Sequence, residues 1–262
     1  MKNKLLMPVA LAGLVGLAEA AVVVKPVPYQ IDGEAFEGLL IYDDAVTTPR
    51  PGLMMVPDWL GVTENSAKQA ELIAADKYVV FMADMYGKAV RPSNAEEAGA
   101  AAGALRGDRA LMRKRAQAAV EMLKAQAPQV ALDAGKLGAI GFCFGGGAVL
   151  ELARSGGDLQ GFVSFHGNLD TPNPADAQNI KAPVLVLHGA EDPSVPPKQV
   201  EDFIAEMKAA NTDWQLISYG GAVHSFTNPQ ANVPGRNDYH PRVAARAYKA
   251  MNQLFDEVFA AQ

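Results

Sequence analysis

The chain has 262 residues, 49% of them hydrophobic, with a formal net charge of −6 and a single cysteine. This length and apolar share suit one large buried core, and the acidic balance excludes nucleic acid and anionic membrane surfaces as partners. A lone cysteine excludes an internal disulfide. With no CxxC or clustered Cys/His pattern, neither a metal nor another cofactor is expected.

At the N-terminus, Lys2 and Lys4 precede an apolar run from Leu5 to Leu17, and Ala18-Glu19-Ala20 has the small-x-small form of a cleavage site. Residues 1–20 are therefore expected to be a signal peptide and residues 21–262 one domain. The run is shorter than the ~20 apolar residues that a spanning helix needs, so no membrane attachment is expected after cleavage. The mature protein is expected to be exported, periplasmic or secreted, and monomeric.

Tyr29 to Tyr42 reads as a hairpin turning at Asp32-Gly33. Leu53 to Val56 is apolar without alternation, the pattern of a strand covered on both faces. It runs into the loop Pro57-Asp58-Trp59-Leu60-Gly61. A helix over Asn65–Asp76, a strand over Tyr78–Ala83 and a second strand-end loop, Asp84-Met85-Tyr86-Gly87, follow. Asn94 to Ala125 is alanine-rich and helical, with Met112, Ala116, Ala119, Val120 and Leu123 on one face. Arg113-Lys114-Arg115 lies across that periodicity and reads as a solvated face.

Next comes Leu137-Gly138-Ala139-Ile140-Gly141-Phe142-Cys143-Phe144-Gly145-Gly146, a strand and a sharp turn that lead into a helix. Gly141 and Gly145 allow the two backbones to approach, and Cys143 sits at the helix N-terminus, where the dipole favours a thiolate. Taken alone, Cys143 reads first as a buried structural thiol, and only an acid and a histidine further along the chain overturn that reading. Three more strands end in polar loops: Gly161–His166, Pro183–His188 before Glu191-Asp192-Pro193, and Trp214–Tyr219 before Val223-His224-Ser225. Helices that begin after Pro196-Pro197 and after His240 complete a strand–helix alternation. The fold class is α/β: a doubly wound, mostly parallel sheet with helices on both faces and an N-terminal antiparallel hairpin.

Cys143, Asp192 and His224 occur in the chain order nucleophile, acid, histidine, each at a strand end. His166 and His188 precede the acid and read as structural, and His240 reads as a capping residue. A helix N-terminus stabilises a charge by ~0.3–1 kcal/mol, up to ~2 when partly buried. That is too little to ionise an ordinary thiol fully near neutrality, so His224 is needed as its charge partner.

The motifs Gly141-Phe142-Cys143-Phe144-Gly145-Gly146, Leu187-His188-Gly189-Ala190-Glu191-Asp192-Pro193 and Tyr219-Gly220-Gly221-Ala222-Val223-His224-Ser225-Phe226-Thr227-Asn228-Pro229 together resemble the dienelactone hydrolase family of α/β-hydrolases. The resemblance runs from about Tyr29 to the C-terminal helix. It implies a Cys143–His224–Asp192 triad acting on a small-molecule ester or lactone, with the oxyanion held by the backbone N–H groups of Phe144 and Trp59. Asp58, Tyr86 and Arg106 are the candidates for substrate contact or for partnering the thiol. Two departures bear on substrate: the family's glutamate is here Asp58, and its arginine four residues after the histidine is here Asn228. A broad carboxylesterase and a non-catalytic exported binding protein are the competing readings.

Overall fold

The computed structural model describes residues 22–75 and 77–260, so the expected signal peptide lies outside the described residues. Strands β1 (Val22–Ile31) and β2 (Glu34–Asp43) form the expected hairpin. Its turn places Asp32 at φ 52° and Gly33 at φ 83°, which suits a right-twisted two-residue connection. Next in the chain are β3 (Arg50–Val56), α1 (Glu64–Ala74), β4 (Val79–Met82), α2 (Ala95–Gly107), α3 (Arg109–Lys124) and β5 (Leu132–Phe142). The second half contains α4 (Phe144–Arg154), β6 (Phe162–Phe165), a 3₁₀ turn at Pro174–Asn179, β7 (Val184–Gly189), α5 (Pro197–Ala210) and β8 (Trp214–Tyr219). The short strands β9 (Asn232–Val233) and β10 (Asn237–Asp238) and the long helix α6 (Pro241–Ala260) close the chain.

The eight main strands form one sheet in the order β1-β2-β4-β3-β5-β6-β7-β8. β3 through β8 run parallel, and β2 joins β4 antiparallel. The non-alternating run in β3 is divided between two cores. Met54 and Val56 pack with residues of α2, α3, α4 and α5, whereas Leu53 and Met55 pack with those of α1 and α6. A strand buried on both faces needs no polar side, which is why its sequence lacks a period of two.

One local expectation is sharpened and one is corrected. The Asn94–Ala125 region is two helices, because Asp108 breaks from helical geometry and caps the second by accepting from Leu111 N at 2.9 Å. The Arg113–Arg115 run is not uniformly solvated. Arg113 pairs with the buried Glu151 at 2.8 Å, and Arg115 donates to the Met85 carbonyl at 2.8 Å and lies over the Phe36 ring.

Candidate active site

The parallel strands deliver their C-terminal loops to one edge of the sheet. The β5–α4 turn is the tightest of them. Cys143 has φ 54° and ψ −118°, a backbone conformation that a residue with a side chain reaches only under strain. Glycine on either side makes the turn possible. A Cβ on Gly141 would stand 2.8 Å from Gly146 N, and one on Gly145 would stand 2.6 Å from the Val56 carbonyl carbon. The sulfur therefore projects from the start of α4, a helix whose eleven residues are all buried.

Three side chains from distant strand ends meet there. His224 Nε2 lies 2.9 Å from Cys143 Sγ, and His224 Nδ1 lies 2.7 Å from Asp192 Oδ2. Asp192 is itself held, since its Oδ1 accepts from Ser194 N at 2.7 Å. Burial alone disfavours a charged His224 imidazole. The negative sulfur of Cys143 and the Asp192 carboxylate together outweigh it, and the imidazole is pushed up to about 10. Phe144 opens α4, so its N–H is one of the donors that a helix leaves without an internal partner.

The other candidates surround this line. Asp58, Trp59, Arg106, Cys143 and His224 share a cavity of about 470 Å³. Asp58 does not bond the thiol: its Oδ1 accepts from Leu60 N at 2.9 Å, and the sulfur's hydrogen bond goes to His224. Burial pushes the Asp58 carboxyl above the ordinary range, against the Leu60 N–H and the charge of His224. Tyr86 braces the wall by donating to the Trp59 carbonyl at 2.9 Å, with its ring 5.7 Å from that of Phe144. Burial comes first among the causes that keep its phenol protonated, and the charges of Asp58 and Cys143 add to it. Arg106 donates to Asn168 at 2.9 Å and lies over the Phe144 ring at 5.7 Å.

Part of the wall was not legible in the chain. Asn232, Val233, Arg236 and Asn237, from the β9–β10 hairpin, line the cavity, and Asp238 N donates to the His224 carbonyl at 3.1 Å. Two-residue strands are too short to show alternation, and the Pro-Gly turn between them was the only available signal. His166, His188 and His240 take non-reacting positions. His166 and His188 are buried, and His240 precedes α6, where its carbonyl accepts from Ala244 N at 2.8 Å. A groove of about 550 Å³ between the 3₁₀ turn and α5 holds none of the strand-end residues.

The dienelactone hydrolase family profile matches residues 36–259. An uncharacterised Caenorhabditis elegans protein is 37% identical over 155 residues, which are 57% of this chain and 95% of that protein. A Salmonella typhimurium protein provisionally named a carboxymethylenebutenolidase is 32% identical over 131 residues, 47% of each chain. The chain thus matches about half the length of that relative. Among solved structures, a dienelactone hydrolase-like promiscuous phosphotriesterase from metagenomic libraries is 37% identical, with a TM-score of 0.84 over 91% of this chain and 99% of that one.

Proposed function

The chain belongs to the dienelactone hydrolase family, and on that premise we propose that Cys143, His224 and Asp192 hydrolyse a carboxylic ester or lactone through a thioacyl-enzyme. The observation that carries this reading is the continuous line Cys143 Sγ–His224–Asp192, with links of 2.9 and 2.7 Å, at the C-terminal edge of the sheet. Asp192 fixes the imidazole through Nδ1 and leaves Nε2 facing the sulfur.

In the first half-reaction the Cys143 thiolate forms a bond to the acyl carbon, and the carbonyl electron pair moves onto oxygen. The backbone N–H groups of Phe144 and Trp59 hold that oxyanion, each worth ~2.7–4 kcal/mol in the transition state. Collapse of the tetrahedral adduct breaks the C–O bond, and His224 Nε2–H protonates the departing alkoxide. Acylation removes the negative charge on sulfur that had held the imidazole proton, and burial then favours a neutral ring. His224 thereby becomes the base that takes a proton from water, whose oxygen attacks the thioester and restores the thiolate.

The substrate preference follows from one departure at the wall. Asn228 stands where the family's type members carry a cation, so dienelactone itself is not the expected substrate. A second reading, phosphotriester hydrolysis, is favoured by the name of the 37%-identical structure. Thiolate attack at phosphorus would use the same nucleophile and donors.

A panel of lactones, p-nitrophenyl acetate and a p-nitrophenyl phosphotriester separates these readings. Cys143→Ala should abolish turnover of every member of the panel while the protein stays folded, and retained turnover would place the nucleophile elsewhere. A folded parent inactive on the whole panel would favour a binding protein on a hydrolase scaffold. The N-terminal pattern of Lys2, Lys4 and Ala18-Glu19-Ala20 supports export, and the mass of the mature N-terminus tests it.

A further inference from the structure

Behind the proposed catalytic histidine lies a second one that the reaction does not use. His166 directly follows β6, is 3% exposed and has φ 40°, outside the conformations that a side chain favours. Its ring meets the His224 ring edge-on, with centroids 5.3 Å apart, and meets Phe226 edge-on at 5.0 Å. His166 Nε2 lies 2.8 Å from Thr227 Oγ1, three residues after His224 on the same loop. Thr227 Oγ1 in turn accepts from Gln69 of α1 at 3.2 Å, and Gln69 also bonds the Tyr248 hydroxyl of α6 at 3.1 Å. A polar chain therefore runs through an apolar core that includes Phe142, Phe165 and Phe226.

A buried polar chain is costly, and an apolar side chain at 166 would fill the space without that cost. What the imidazole adds is a fixed ring direction, set at one end by Thr227. At rest the His224 ring bonds Asp192 at Nδ1 and Cys143 Sγ at Nε2, but it must turn Nε2 from the sulfur to a leaving oxygen and then a water, and through those steps Asp192 alone holds it. One hydrogen bond leaves the ring free to rock about that axis. A second ring packed edge-on removes this freedom.

We propose that His166, locked by Thr227, is a positioning residue that sets the plane of the His224 imidazole. The inference rests on the proposed role of His224. His166 acts as a neutral wall: burial above all, and then the charge of His224, hold it well below the ordinary histidine value. The other ionisable groups around His224 are Cys143 from α4, Asp192 and His188 from the β7 end, and Asp58 from the β3 end.

The test compares His166→Leu, Thr227→Val and Thr227→Ser with the parent and with a His224→Ala control. The readouts are ester hydrolysis and the pH profile of Cys143 alkylation by iodoacetamide. Thr227→Val keeps the volume and removes the hydroxyl. It should lower kcat about tenfold, with KM within about twofold, and reduce alkylation at neutral pH more than at pH 10. His166→Leu should do the same or more, and Thr227→Ser should restore parental behaviour. Parental kcat and alkylation profiles in Thr227→Val would overturn the inference, including where His166→Leu does not fold. If those profiles are parental while His224→Ala still slows alkylation, only the positioning role falls. If His224→Ala also alkylates at the parental rate, the proposed role of His224 falls with it.

Discussion

Gly145 of α4 rests directly on Val56 of β3: a Cβ at 145 would stand 2.6 Å from the Val56 carbonyl carbon and closer still to its oxygen. The obstruction is backbone, which cannot swing aside as the end of a side chain can. The same approach sets the distance between the cysteine turn and the loop carrying Asp58 and Trp59. Gly145→Ala should therefore push the two loops apart. A loss of ~1–3 kcal/mol in stability, the usual range for overpacking, should accompany a larger proportional loss of kcat. Urea unfolding and ester kinetics measure the two effects. Gly103, in α2 with nothing within 4 Å of an added Cβ, provides the control, and Gly103→Ala should stabilise by ~0.5–1 kcal/mol.

His224 carries a pH prediction whose sign follows from its environment. Its imidazole is pushed up to about 10, so the cation facing Cys143 is present below that pH and lost above it. The alkylation rate of the parent should exceed that of His224→Ala throughout the neutral range. The difference should narrow as pH rises through about 10, because the imidazolium that favours the Cys143 thiolate in the parent is then lost. Asp192→Asn removes one of the two groups that raise the imidazole, so the gap should close at a lower pH. Iodoacetamide rates measured from pH 6 to 10.5 check both statements, and a constant ratio across that range would contradict them.

Much of this site was legible because its chemistry is carried by residues placed beside glycine and proline punctuation at strand ends. Cys143, Asp192 and His224 could be ordered from the chain alone, and β3 declared its burial by lacking alternation. Hidden features were those whose partners are far away in sequence. Arg113 and Arg115 fall off the apolar stripe of α3, and nothing nearby signals Glu151 or Met85 as their partners. The break at Asp108 was readable in principle, since Gly107-Asp108 pairs a helix stop with an N-cap. From the chain alone His166 reads as structural, by its place before the acid. Its contact with His224 exists only once β6 and the last loop are brought together.

Among the described residues two arginines line the cavity, neither at the position where the type members carry theirs. Arg106 comes from α2 and the exposed Arg236 from the β9–β10 turn, and both line the cavity. A substrate bearing a carboxylate away from its ester should therefore be preferred over its neutral analogue. An exposed ion pair contributes up to ~1 kcal/mol, about fivefold in kcat/KM. Arg236→Gln should remove up to that factor for the charged ester and leave the neutral one unchanged. The effect should shrink in 0.5 M salt, as ~10 Å screening at 0.1 M shortens further. Equal losses for both esters would assign Arg236 to the shape of the hairpin instead.

Stability should depend most sharply on the far end of the nucleophile helix. Arg154, 1% exposed, donates through Nε and Nη2 to the two carboxylate oxygens of Glu206 at 2.7 and 2.8 Å, and through Nη1 to Glu151 at 3.0 Å. Glu151 is completed by Arg113, which also reaches Asp176 at 2.7 Å. This network ties α4 to α3, α5 and the 3₁₀ turn from inside the core. Arg154→Met leaves two buried carboxylates facing an apolar chain and should cost ~3–5 kcal/mol, the usual penalty for removing one member of a buried ion pair. Replacing Glu151 and Glu206 with leucine in the same protein removes the stranded charges and should recover much of that loss, although Arg113 keeps only Asp176. Turnover per folded molecule should stay within about twofold in both variants, because the Cys143 turn is held at the opposite end of α4 by Gly141 and Gly145. Chemical denaturation with activity measured below the transition separates the two effects. A large loss of kcat in folded Arg154→Met would instead mean that the buried charges bear on the sulfur through the length of the helix.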